Sequence, residues 1–119
     1  MTHFGQATRE VADYFEEQTG IHAETDLRDL ILPGAWIMPK TINYDRLDKT
    51  TATGVWEVYL VAGPQVDLMA ALDEISAMAE TCNNADIGNG EFTTASVTAM
   101  NHSPDPIPAI TFEIELEIT

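Results

Sequence analysis

Hydrophobic positions change from strand to helix period in the middle of the chain, and the rest is arranged around that change. Val55, Trp56, Val58, Tyr59, Leu60, Val61 and Ala62, interrupted only by Glu57, form a β-branched and aromatic run that reads as a strand. Apolar side chains on both of its faces predict cover on both sides. Gly63 and Pro64 end it, because proline has no N–H for the ladder and suits the first turn of a helix. Over residues 66–82, Leu68, Leu72, Ile75, Met78 and Ala79 recur at helical spacing, with Asp67, Asp73 and Glu80 elsewhere around the axis. Asp67, in the first turn, complements the helix dipole. The expected unit is a central strand with this helix folded back on it, and Leu68, Leu72 and Ile75 in the core.

The flanking segments supply partners for that unit. Residues 4–18 read as an amphipathic helix begun by Thr2 or His3. Phe4, Ala7, Val11, Tyr14 and Phe15 form its apolar stripe, Glu10, Asp13, Glu16 and Glu17 face water, and Gly20 stands at its C′ position. Residues 21–24 read as a connection, and 25–31 as a short helix capped by Thr25 or an irregular link. Residues 35–44 read as a strand in which Pro39 implies an edge or a bulge. A polar loop over 45–52 joins it to the central strand as a long hairpin. Residues 92–100 predict a third strand. The stretch 102–108, with Pro104, Pro106 and Pro108, predicts no regular structure. The last segment alternates strictly: Ile110, Phe112, Ile114, Leu116 and Ile118 on one face, Thr111, Glu113, Glu115, Glu117 and Thr119 on the other. The fold expected is α+β, a mainly antiparallel sheet of about four strands with two helices packed on one face, in the order α-β-β-α-β-β.

Length and composition narrow the class. A chain of 119 residues, 45% apolar, reads as one domain with a real core. Twenty acids against five bases give a net charge of −15, which opposes binding to nucleic acid or to an anionic membrane surface. Strong acidity serves solubility; it also fits a partner of complementary charge, or mimicry of DNA. The lone Cys82 excludes an internal disulfide. The absence of a signal-like N-terminus or a long apolar stretch predicts a soluble protein made in the cytoplasm.

No catalytic constellation emerges, so an enzyme is not expected. Cys82 falls at a predicted helix C-terminus, where the dipole opposes a thiolate, and reads as a small core residue. His3, His22 and His102 lack metal-ligand spacing. The alternating donors of His22, Glu24 and Asp26 could hold a metal if extended, but a solvated linker is the simpler reading. Gly88 and Gly90 lack the Lys and the following helix of a phosphate loop. No cofactor and no metal are expected. Two features remain. Glu113, Glu115 and Glu117 share one strand face at roughly 7 Å spacing, where like charges are costly unless cations lie opposite. Three of the five bases, Lys40, Arg46 and Lys49, fall within ten residues in and beside the hairpin loop. Bases on one loop and acids on another strand suggest a contact between copies arranged head to tail, a kind of contact that closes into rings.

The run from Pro33, Gly34, Ala35 and Trp36 to Pro39, the hairpin through Val55–Val61, the following helix and the Ile/Glu-alternating last strand together resemble tail terminator proteins of long-tailed, non-contractile phages, nearest to those of mycobacteriophages. The resemblance covers most of the chain and implies a single terminator-like domain over 1–119. It also implies a non-enzymatic virion subunit, made in the host cytoplasm, that forms a hexameric ring on the head-proximal end of the tail tube. Such a ring ends tube polymerisation and docks to the head connector. The implied partners are the chain itself, the major tail tube protein and the head–tail connector or neck protein, with DNA passing through the lumen without specific binding and no membrane. An acidic lumen wall would let DNA slide without sticking. Lys40, Arg46, Lys49, Glu113, Glu115 and Glu117 are the expected interface residues, inferred from charge and patterning. Two other roles share the size and acidity: a head-completion or neck connector (stopper) protein, and an acidic DNA-mimic inhibitor.

Overall fold

The computed structural model describes residues 4–26, 28, 30–44, 52–63, 67–88, 90–98 and 106–118. Its elements are α1 (Phe4–Thr19), β1 (Ala23–Glu24), β2 (Gly34–Tyr44), β3 (Ala52–Val61), α2 (Leu68–Asn84), β4 (Thr93–Val97) and β5 (Ile107–Ile118). The class is α+β, with two helices and one five-stranded sheet in the order β1-β2-β3-β5-β4.

β3 is the central strand. It pairs antiparallel with β2 from Gly34↔Val61 to Tyr44↔Ala52, and with β5 from Ala52↔Ile118 to Val61↔Ala109. The hairpin register slips between Pro39 and Thr41, so the expected bulge forms at Lys40. Cover on both faces of β3 is only partly realised. Trp56, Val58 and Leu60 are buried, whereas Val55, Glu57 and Tyr59 on the other face are half-buried. On that second face the β5 partners are Glu115, Glu113 and Thr111, whereas β2 sets Met38 opposite Glu57 and Trp36 opposite Tyr59, so apolar cover comes from the β2 side alone.

Two further expectations are corrected. The sheet has five strands rather than about four, and it is mixed, because β1 pairs parallel with β2 through Ala23↔Ala35 and Glu24↔Trp36. A two-residue strand carries no period; its pairing depends on Ala35 N–H donating to the His22 carbonyl at 2.8 Å. Regular structure also begins earlier than the prolines allow in isolation. Pro108 lies within β5 opposite Ser96, and its carbonyl accepts from Ala62 N–H.

α1 follows its pattern. Ala7, Val11, Ala12 and Phe15 are buried, Glu10, Asp13, Glu16 and Glu17 are exposed, and Gly20 terminates the helix at φ +73° with its N–H on the Glu16 carbonyl. Tyr14 departs from the stripe and is exposed. The Phe15 and Phe112 rings meet tilted, centroids 6.4 Å apart, and the Trp56 indole N–H donates to Thr8 Oγ1 at 2.9 Å, which pins α1 to β3 and β5. In α2, Asp67 is the N-cap, accepting from Met69 N–H at 3.0 Å. Its buried stripe is Ala71, Ile75 and Cys82, with Leu72 and Met78 half-buried. Leu68 is not in the core: it is 60% exposed, in the first turn ahead of the first buried position. The core has two parts. One gathers α1 with Ile37, Trp56, Val58, Phe112, Ile114 and Cys82; the other joins Leu30, Val61, Ala71, Ile75, Val97 and Ile107.

Candidate interaction surface

The half-buried face of the sheet carries most of the chemistry. Antiparallel pairing sets Glu57 directly opposite Glu113, two like charges in one register position. The bulge in β2 offsets this repulsion. It projects Lys40 across the face, where Nζ stands 3.0 Å from Glu113 Oε2 and 3.6 Å from Glu57 Oε1. The Glu113 hydrogen bond and charge, helped by Glu57, hold the Lys40 ammonium above the ordinary lysine range. Beside them the Tyr59 hydroxyl donates to Glu57 Oε2 at 2.8 Å, and that bond, with partial burial, pushes the phenol upward. Tyr59 also stacks on Trp36, ring centroids 5.2 Å apart. The cluster Lys40–Glu57–Glu113–Tyr59 is thus a knot in which one ammonium bridges two carboxylates.

Beyond the knot the face is uncompensated. Glu115 lies opposite Val55 and Glu117 opposite Thr53, both exposed, and among the described residues no cation is within ion-pair distance of either. Of the six expected interface residues, the structure therefore brings Lys40 and Glu113 together within one chain. Separation of bases from acids does not hold for that pair. Glu115 and Glu117 share one open acidic face as expected, and Arg46 and Lys49 lie outside the described residues. Residue spacing missed Glu57 and Tyr59, because only the register of β3 against β5 places them beside Glu113. Lys40 was legible from the cluster of bases with Arg46 and Lys49, but its partner Glu113 was not.

The remaining candidates sit elsewhere. His22 Nδ1 is 3.1 Å from Glu16 Oε1, and its Nε2 is 3.2 Å from Glu24 Oε1. Asp26, the third donor of that segment, turns away to Arg28, its Oδ2 2.9 Å from Nη2, and the bond holds its carboxyl below the usual range. His22, Glu24 and Asp26 therefore do not converge on one point. Burial pushes the Cys82 thiol up to about 12, which removes it as a nucleophile near neutral pH. No helix among the described residues is long and apolar enough to cross a membrane. No protein-family model matches the chain, and no curated protein sequence matches it significantly.

Proposed function

We propose that this chain is a structural, non-enzymatic virion subunit that forms a ring on the head-proximal end of a phage tail tube, ends tube polymerisation and joins the tail to the head connector. The observation that carries this reading is the open acidic sheet face at Glu115 and Glu117 on a chain of net charge −15. A surface of that sign repels the DNA backbone and suits the wall of a channel through which DNA slides. The order of elements and the bulged hairpin support it further. With Lys40 engaged inside its own chain, contact with a neighbouring subunit or the tube falls to Arg46 and Lys49, which would reach the acidic face.

The test uses the phage that carries the gene. Deleting the gene should give overlong tubes or unjoined heads and tails, repaired by the wild-type chain supplied in trans. Exposed ion pairs are each worth only about 0–1 kcal/mol, so a single neutralisation is too small a change. The Arg46→Glu, Lys49→Glu double reversal should fold normally by circular dichroism and fail to repair the defect. Tails of normal length and normal titre from the deletion would remove the terminator reading. A neck stopper predicts tails of correct length that fail to join, and a DNA mimic predicts no tail defect at all.

A further inference from the structure

Among the described residues the sheet has two open edges, and both lie at the same end. Among these residues, β1 covers the outer side of β2 at Ala35 and Trp36, β4 covers the outer side of β5 from Ile107 to Thr111, and Gly88 lies against Phe112 and the Glu113 carbonyl just beyond. Among the described residues, 37–44 of β2 and 112–118 of β5 have a ladder on one side alone. β2 and β5 are each antiparallel to β3, so they run in the same direction and both open halves are C-terminal. The subunit is a wedge, with β2, β3 and β5 at one end and all five strands at the other. Unpaired N–H and C=O groups along such an edge are a template for another strand. Beside the β5 edge runs a groove of about 320 Å³, lined by Tyr14, Asp86, Gly88, Glu113, Ile114 and Leu116.

We propose that the open half of β5 in one copy pairs with the open half of β2 in the next, joining the sheets head to tail. This deepens the ring reading, on which its closure rests, by naming the contact between subunits. Charge selects the pairing. A β5-to-β5 contact would be isologous and would line Glu113, Glu115 and Glu117 of two copies along one seam, where like charges repel. The open half of β2 carries Lys40 and no acid. Register puts Thr41 and Asn43 on the face shared by Val55 and Thr53, hence by Glu115 and Glu117. In a continued sheet, small polar residues thus stand beside the acids. Copies that keep both face and strand direction pair parallel, the sense in which β1 already meets that edge of β2.

Light scattering after gel filtration, with amide hydrogen exchange on the same samples, tests the contact. The wild-type chain should form species larger than a dimer as concentration rises, with amides in 37–44 and 112–118 gaining protection over the dilute monomer. Thr41→Glu with Asn43→Glu puts acids opposite acids at two exposed positions. It should raise the concentration needed for assembly by about tenfold, the sum of two like-charge repulsions, with circular dichroism unchanged. Adding Glu115→Lys and Glu117→Lys to that variant should restore assembly. A wild-type chain that stays monomeric, an assembly indifferent to the β2 acids, or a dimer that ignores the β5 changes would each overturn the proposal. Assemblies indifferent to the edge changes leave the terminator reading standing; edge-dependent rings from a gene whose deletion leaves tails normal do the reverse.

Discussion

At the scale of single residues, two polar contacts hold the fold in ways that can be measured. Trp56 is 1% exposed, and its indole N–H is satisfied by the buried Thr8 hydroxyl of α1. Thr8→Val keeps the shape and strands the donor. It should cost about 1–3 kcal/mol in urea unfolding followed by tryptophan fluorescence, while Thr8→Ser should cost much less. The Lys40–Glu57–Glu113–Tyr59 knot acts through pH. Lys40 and Tyr59 both have folded-state values raised above the unfolded ones. Their stabilisation is therefore fully present below about pH 10 and is lost as pH rises through the folded values. Unfolding midpoints measured from pH 8 to 11.5 should fall at the alkaline end, and the fall should be shallower in a Lys40→Met, Tyr59→Phe variant. At pH 7 Lys40→Met alone should lower the midpoint, because it leaves Glu57 and Glu113 opposed.

At the scale of elements, α2 separates pattern from packing. Leu68, Leu72 and Ile75 are equivalent in a periodicity count, yet Leu68 is 60% exposed and Ile75 is 1% exposed. Ile75→Ala should cost about 2–5 kcal/mol, as truncation of a fully buried side chain does, and Leu68→Ala should leave the unfolding midpoint almost unmoved. Leu72, half-buried, should fall between them. The reverse ranking would mean that the helix packs on a different face. The helix start is set by its cap: Asp67→Ala removes the bond to Met69 N–H and should cost about 0.5–2 kcal/mol.

At the scale of the whole molecule, charge and shape work together. A net charge of −15 on a body of 52 × 29 × 22 Å means that its acids repel one another through solvent. Salt shortens that repulsion to roughly 8 Å at 0.15 M. The thermal midpoint should therefore rise when salt is increased from a few millimolar to physiological strength. A flat response in a thermal scan would show that local pairs such as Lys40–Glu113 already neutralise what matters. The elongated outline follows from the long β2–β3 hairpin and β5, which run on past the short β1 and β4.

What the sequence determined by itself is whatever depends on local period and local backbone chemistry. Strict alternation over 110–118 produced β5 with its buried and acidic faces. The stripe Ala7, Val11 and Phe15 with Gly20 behind it produced α1, and Pro39 produced a bulge because proline cannot donate to a ladder. Tertiary structure decided what depends on neighbours distant along the chain. β1 exists only because β2 offers it an edge, Pro108 is held extended because β4 pairs beside it, and Leu68 is exposed although its period places it on the stripe. The candidate surface divides along the same line. The acidic row on β5 was legible from alternation alone. That Lys40 meets Glu113 across 73 residues, with Glu57 and Tyr59 beside them, follows from the registers of three strands, which no one strand encodes.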